Sequence, residues 1–189
     1  MLTRSLLAGV ACALLGACTG PDFRGVVLEP PEPAPALALA DSNGTVLDLA
    51  GERGKVVLVF FGYTHCPDIC PTTLADWRKA KGLLGDEARA VRWLFVTVDP
   101  ERDTPQLAHR YAARFDRDFR GLSGTPDQVR AAMAAWKIGS VRDAGGTDSS
   151  YTVSHPSVVF VLDREGRVRL LHRQGMPPSA IAADIRALL

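Results

Sequence analysis

Residues 60–74 read FFGYTHCPDICPTTL, with Cys66 and Cys70 four positions apart and a proline directly after each. Such a pair can staple a fold as a disulfide, pass electrons between thiol and disulfide, or grip a metal. The elements around the pair bear on the choice. Residues 56–61 (VVLVFF) are a continuous apolar run, long enough and β-branched enough for a buried strand of a parallel sheet. Residues 72–84 place Leu74, Trp77, Leu83 and Leu84 between charges, as a helix does. The pair therefore sits at a strand-to-helix junction, with Cys70 at or inside the first helical turn. Pro71 suits that turn, where an N–H would have no partner. Free N–H groups at a helix start favour thiolate over thiol. Thiolate is needed for disulfide attack and for metal binding alike, so this alone does not choose.

Spacing narrows the field. Residues four apart on a helix hold their Cβ atoms about 5–6 Å apart, whereas a disulfide wants about 3.5–4.5 Å. A bridge needs some adjustment of the turn, and two thiolates converging on one soft metal fit more easily. Two sulfurs rarely complete a site. Zinc usually takes four ligands, and thiolates with imidazole suit copper. Of the four histidines, His65 is next to Cys66, where adjacent side chains diverge, and His109 lies in a helix with no reason to face the pair. His172 lies in a late strand. His155 precedes the apolar run SVVFVL, and Pro156 biases it towards extended backbone. In a sheet of the expected kind that strand starts beside the cysteine turn, which makes His155 the best third ligand.

The chain has 189 residues, 47% apolar and 23% charged, with a formal net charge of +1. That is one ordinary globular domain, with no electrostatic case for nucleic acid. Residues 1–17 combine a basic start with a short apolar run and end in small residues before Cys18. They read as a signal peptide of lipoprotein type, with Cys18 as the lipidated residue and the protein exported to the periplasmic side of a bacterial membrane. Residues 18–35 hold five prolines and read as a spacer tethering the domain to the membrane. With Cys12 and Cys18 accounted for, only Cys66 and Cys70 remain for the domain at 36–189. One bridge closing so short a loop adds little to a domain with its own core, which disfavours a purely structural disulfide.

Residues 37–49 look like a hairpin turning at Asn43-Gly44. A second buried strand is expected over 93–98 (WLFVTV), closed by Asp99-Pro100. Helices open at Thr104-Pro105 and Thr125-Pro126, each with a capping hydroxyl and a proline at the first helical position. A short strand at 119–122, a loose stretch at 139–150, strands at 158–162 and 167–172, and an amphipathic helix at 178–189 complete the pattern. Alternating strands and helices ending in a hairpin and helix imply an α/β domain. With a cysteine pair at a strand–helix junction, the expectation is a thioredoxin-like fold: a central mixed sheet flanked by helices, with an N-terminal β-hairpin.

FFGYTHCPDICPTTL, then VTVDPERDTP, then YTVSHPSVVFVLDREGRV together resemble the Sco/SenC family of copper chaperones, over most of the chain from about residue 23. The resemblance implies one copper, Cu(I) or Cu(II), held by Cys66, Cys70 and His155. It implies delivery of copper to, or reduction of cysteines at, the binuclear copper site of cytochrome c oxidase subunit II. Another copper acceptor, other copper chaperones or a thioredoxin-like reductant are further partners it allows. The family commonly has Asp-His-Ser around its histidine, and this chain has Ser154-His155-Pro156. Asp99 matches the family's acidic position after the second strand, which makes it a candidate neighbour of the metal. The rival is an exported thiol–disulfide oxidoreductase using Cys66 and Cys70 as its redox pair, although Cys-x-x-Cys with a preceding tryptophan is missing. A peroxidase is weaker still, with Tyr63 standing three before Cys66.

Overall fold

The computed structural model describes residues 21–143 and 150–189, so Cys18 and part of the loose stretch lie outside the described residues. The centre of the molecule is β2 (Val56–Gly62), all of whose residues are buried. It runs parallel to β3 (Val91–Thr97), and β3 runs parallel to β4 (Phe119–Leu122). On its other side β2 meets β7 (Val158–Leu162) antiparallel, followed by β8 (Arg167–Arg173) and β1 (Val26–Pro33) at the edge. The result is the expected thioredoxin-like mixed sheet.

Successive strand residues point to opposite faces, and β2 shows why helices cover both. Phe60 meets Trp77 of α1 (Ile69–Leu84) edge-on, with centroids 6.3 Å apart. Phe61 meets Trp136, which closes α3 (Pro126–Ala135), at 5.8 Å. α4 (Pro178–Leu188) packs beside α1, and α2 (Pro105–Ala113) lies against β4. Caps form where the sequence places them: Thr104 Oγ1 accepts from Leu107 N, and Thr125 and Gln128 make a reciprocal capping box. Among the described residues no helix is long and apolar enough to cross a membrane.

Two segments differ from expectation. The stretch read as spacer contributes β1 from Val26 onward, antiparallel to β8 with a register shift between Val27 and Glu32. Prolines lack a ladder donor and are tolerated only on such an edge; together with the shift they hide the alternation that marks a strand. Asp184 of α4 secures the entry to this strand by accepting from Arg24 N and Gly25 N at 2.7 and 2.8 Å. Its partner His172, buried in β8, makes a 2.9 Å contact through Nε2. Burial raises the Asp184 pKa, but these partners outweigh it and hold the carboxyl below its usual range. The hairpin at residues 37–49 closes through one bridge, Ala40 to Val46, with Leu47 N donating to Leu39 O. Ala40 also bridges Ser123, so this turn serves to cover the β4 edge.

The topology fixes the working edge of the sheet. β2, β3 and β4 are parallel and end on the same side, and antiparallel β7 begins there, with Phe60 opposite Val159. Val98 N donates to Gly62 O at 2.8 Å, joining the loops that follow β3 and β2. The α2–β4 seating that supports this edge leaves no room at Gly121: an added Cβ would lie 2.1 Å from the Ala108 carbonyl carbon. Gly121→Ala is therefore expected to lower the unfolding free energy by about 3 kcal/mol in a urea titration, as overpacking against backbone does. A loss below about 0.5 kcal/mol would show that α2 does not seat on β4 at this point.

Candidate metal and thiol centre

The chain leaves β2 at Gly62, turns through residues 63–68, and enters α1 at Ile69. Asp68 occupies the N-cap but makes no side-chain cap bond. The Cys66 sulfur takes that place: Cys70 N donates to its Sγ at 3.4 Å, and the Asp68 and Ile69 backbones also hydrogen-bond to it. Helix start and sulfur are thus one structure, which is why α1 begins three residues earlier than its apolar pattern suggests.

Cys66 is half-buried and Cys70 fully buried, and both are free thiols. The Cys70 side chain hydrogen-bonds to Cys66, and with the backbone N–H groups this outweighs burial and lowers the Cys66 pKa to about 5. The same hydrogen bond, added to burial, pushes the Cys70 thiol up. The pair therefore holds one proton at neutral pH, with thiolate on Cys66 and S–H on Cys70. The Cys70 sulfur fits because residue 62 is glycine: a Cβ there would stand 2.8 Å from Sγ and 2.8 Å from Phe95 Cε2.

His155 and Cys66 line one cleft of 270 Å³ whose walls also include Tyr63, Asp143 and Ser154. His155 comes from the segment joining β6 (Val153–Ser154) to β7, and β6 pairs with β5 (Val141–Arg142) in a separate two-stranded ribbon. Its ring packs against Tyr63 at 6.0 Å and Phe60 at 6.4 Å. Burial lowers the imidazole pKa, against the Pro156 carbonyl and the Cys66 charge, so the ring is neutral at pH 7. Its Nδ1 lies 3.1 Å from Pro156 O. A carbonyl only accepts, so this bond puts the proton on Nδ1 and leaves Nε2 its lone pair. A thiolate, a second sulfur and an imidazole nitrogen are a donor set that fits a soft metal ion. Among the described residues, however, no three His, Cys, Asp or Glu side chains converge as a ready cage.

The remaining candidates are placed elsewhere. Asp99 does not line the cleft; its carboxylate is taken by Arg102 Nε and Tyr151 Oη, each at 2.6 Å. His65 is exposed beside Thr64 Oγ1 at 3.1 Å, and His172 belongs to the Asp184 pair. Sequence reasoning missed Asp103. Fully buried, it accepts from Thr64 N and Thr64 Oγ1 at 2.9 and 2.5 Å and from Thr97 Oγ1 at 2.8 Å. That carboxylate pins the cysteine loop to the end of β3. Its signal was an acid four residues after Asp99, just before a helix cap. Asp143 was missed too: it accepts from Ser154 Oγ at 2.9 Å and from Thr152 Oγ1. These two hydroxyls, Thr152 first, lower its pKa and keep it ionised at the cleft wall.

The Cys66 assignment is open to direct test. Alkylation of the metal-free chain by iodoacetamide is expected to rise with pH around a midpoint of about 5, against about 8.5 for a free thiol. Cys70→Ala removes the S–H partner and is expected to move the midpoint upward. A wild-type midpoint near 8 would contradict the capped-thiolate geometry.

The model of the family described as SCO1/SenC matches residues 29–189. An SCO2-like protein of Rickettsia prowazekii (strain Madrid E) is 33% identical over 130 residues, 68% of this chain and 63% of its own length. The match thus spans a little under two thirds of that relative. The solved structure of apo Sco1 from Thermus thermophilus is 38% identical with a TM-score of 0.81, covering 92% of this chain and 100% of that one. ScoI of Bradyrhizobium japonicum, solved with copper bound, is 34% identical with a TM-score of 0.75, covering 84% and 99%. With the fold and the match over residues 29–189 in agreement, the chain belongs to the SCO1/SenC family.

Proposed function

We propose that this protein is an exported, membrane-tethered copper metallochaperone that takes one copper ion as cargo through Cys66, Cys70 and His155. The acceptor is the binuclear copper site of cytochrome c oxidase subunit II. The observation that carries the reading is the capped thiolate of Cys66, hydrogen-bonded by Cys70 and sharing one cleft with a neutral His155. The relative from Bradyrhizobium japonicum, alike in fold and solved with copper bound, supports it. Residues 1–17 act as the signal peptide and Cys18 carries the lipid, which holds the domain at the periplasmic face.

The chemistry follows from the donors. Cys66 offers a sulfur already deprotonated, so only the Cys70 proton has to leave as cargo enters. His155 needs no proton loss, because Nε2 is free. The histidine directly follows a separate small ribbon, while the cysteines sit on the core, so the imidazole is the ligand that withdraws first. Its withdrawal leaves two sulfurs from which an acceptor's cysteines draw copper by ligand exchange.

A second reading, thiol–disulfide exchange on cysteines of that or another partner, is favoured by the asymmetry of the pair. The accessible Cys66 thiolate attacks a partner disulfide, forming a mixed disulfide and releasing one partner thiolate. Cys70 gives its proton to the thiolate just released, attacks the Cys66 sulfur and releases the second. The partner gains two electrons, and this chain is left with a Cys66–Cys70 disulfide.

Anaerobic titration of the reduced chain with copper separates the readings. The wild type is expected to bind one equivalent tightly, whereas Cys66→Ala and His155→Ala lose tight one-to-one binding. Fast reduction of insulin or glutathione disulfide without tight copper binding would favour the second reading. Unchanged affinity and spectrum in His155→Ala would overturn the three-ligand site.

A further inference from the structure

Both arms of the cleft rest on one loop, residues 98–104. Asp103 holds the cysteine arm by accepting from Thr64 N and Thr64 Oγ1. Four residues earlier in the same loop, Asp99 holds the other arm by accepting from the Tyr151 hydroxyl at 2.6 Å. Arg102 completes that contact. Its Nε donates to Asp99 Oδ2 at 2.6 Å, its Nη1 donates to the Tyr151 carbonyl at 3.0 Å, and its guanidinium lies 3.5 Å from the Tyr151 ring centroid. Arg142 of β5 covers the same ring at 3.8 Å. Asp103 N donates to Asp99 O at 2.9 Å, which fixes the two carboxylates relative to each other.

Tyr151 precedes His155 by four residues, and both Tyr151 and Asp99 are buried. The ribbon between them and His155 has only two residue pairs, too few to hold a position alone. The Val153 backbone also hydrogen-bonds to the Tyr63 hydroxyl on the cysteine arm. Charge-assisted bonds shielded from water are the strong ones available here.

We propose that Asp99, Arg102 and Tyr151 are positioning residues: a latch that holds the His155 ribbon against the cysteine arm and sets whether the third ligand is in reach. The proposal rests on His155 being a copper ligand, and it concerns how that ligand is delivered. The latch touches neither cysteine, so loosening it frees the histidine and leaves the thiol chemistry intact.

Tyr151→Phe in the full chain removes one hydroxyl and keeps the ring. In the metal-free variant, hydrogen exchange at the Val153 and Ser154 amides is expected to be about tenfold faster, and Cu(II) binding by competition titration about tenfold weaker, the scale of one lost bond to a charged group. The Cys66 alkylation profile is expected to stay unchanged. Arg102→Lys, which keeps the charge but loses the fork and the ring contact, is expected to show the same pattern and decides the matter if Tyr151→Phe does not fold. Unchanged exchange at both amides would overturn the latch, as would an equal disturbance of Cys66 alkylation. If His155→Ala binds Cu(II) as the wild type does, the ligand assignment fails, while exchange in the metal-free protein still decides whether the latch holds the ribbon.

Discussion

One sulfur atom caps a helix, and the site is organised around that fact. Where α1 begins, the usual oxygen cap is absent, and the Cys66 sulfur receives the free N–H groups together with the Cys70 hydrogen bond. The arrangement stabilises the negative charge that either copper binding or disulfide attack requires. It also places the second sulfur inside, against the backbone of Gly62, where water does not compete for it. A fully buried strand, β2, delivers the loop to its place, and the buried Asp103 carboxylate keeps it there.

The second constraint is topological. Reversal of direction between β2 and β7 brings the start of β7, and with it His155, to the sheet edge where the cysteine loop emerges. The two halves of the donor set are then carried by parts of unequal stability. The cysteines sit on the packed core, while the histidine sits beside a ribbon of two residue pairs secured by side chains. Such a division serves the copper transfer proposed for the site, because the weaker arm can let go without disturbing the stronger.

Much of this was legible in the sequence, for physical reasons. Uninterrupted apolar runs at β2 and β3 have one good solution, a buried strand, and the Thr-Pro pairs before α2 and α3 specify helix starts. The presence of His155 beside Cys66 in one cleft accords with the strand order. What was hidden lacks periodicity. Prolines and a register shift masked β1. The Asp99–Arg102–Tyr151 contacts join positions some fifty residues apart through side-chain forks that leave no spacing signature. Asp99, a candidate neighbour of the metal by resemblance, has its carboxylate bonded to Arg102 and Tyr151. The family's acid beside the histidine is missing in sequence, yet Asp143 brings a carboxylate into the cleft from across the ribbon, bonded to Ser154.

In the proposed centre a sulfur pair and one distant imidazole bind a single copper ion. X-ray absorption at the copper edge, on the reduced chain loaded with one equivalent, tests it most directly. Two sulfur scatterers and one imidazole nitrogen in the wild type, with the nitrogen lost in His155→Ala, are the predicted result. A copper environment without sulfur, or one whose imidazole signal persists in His155→Ala, would contradict it.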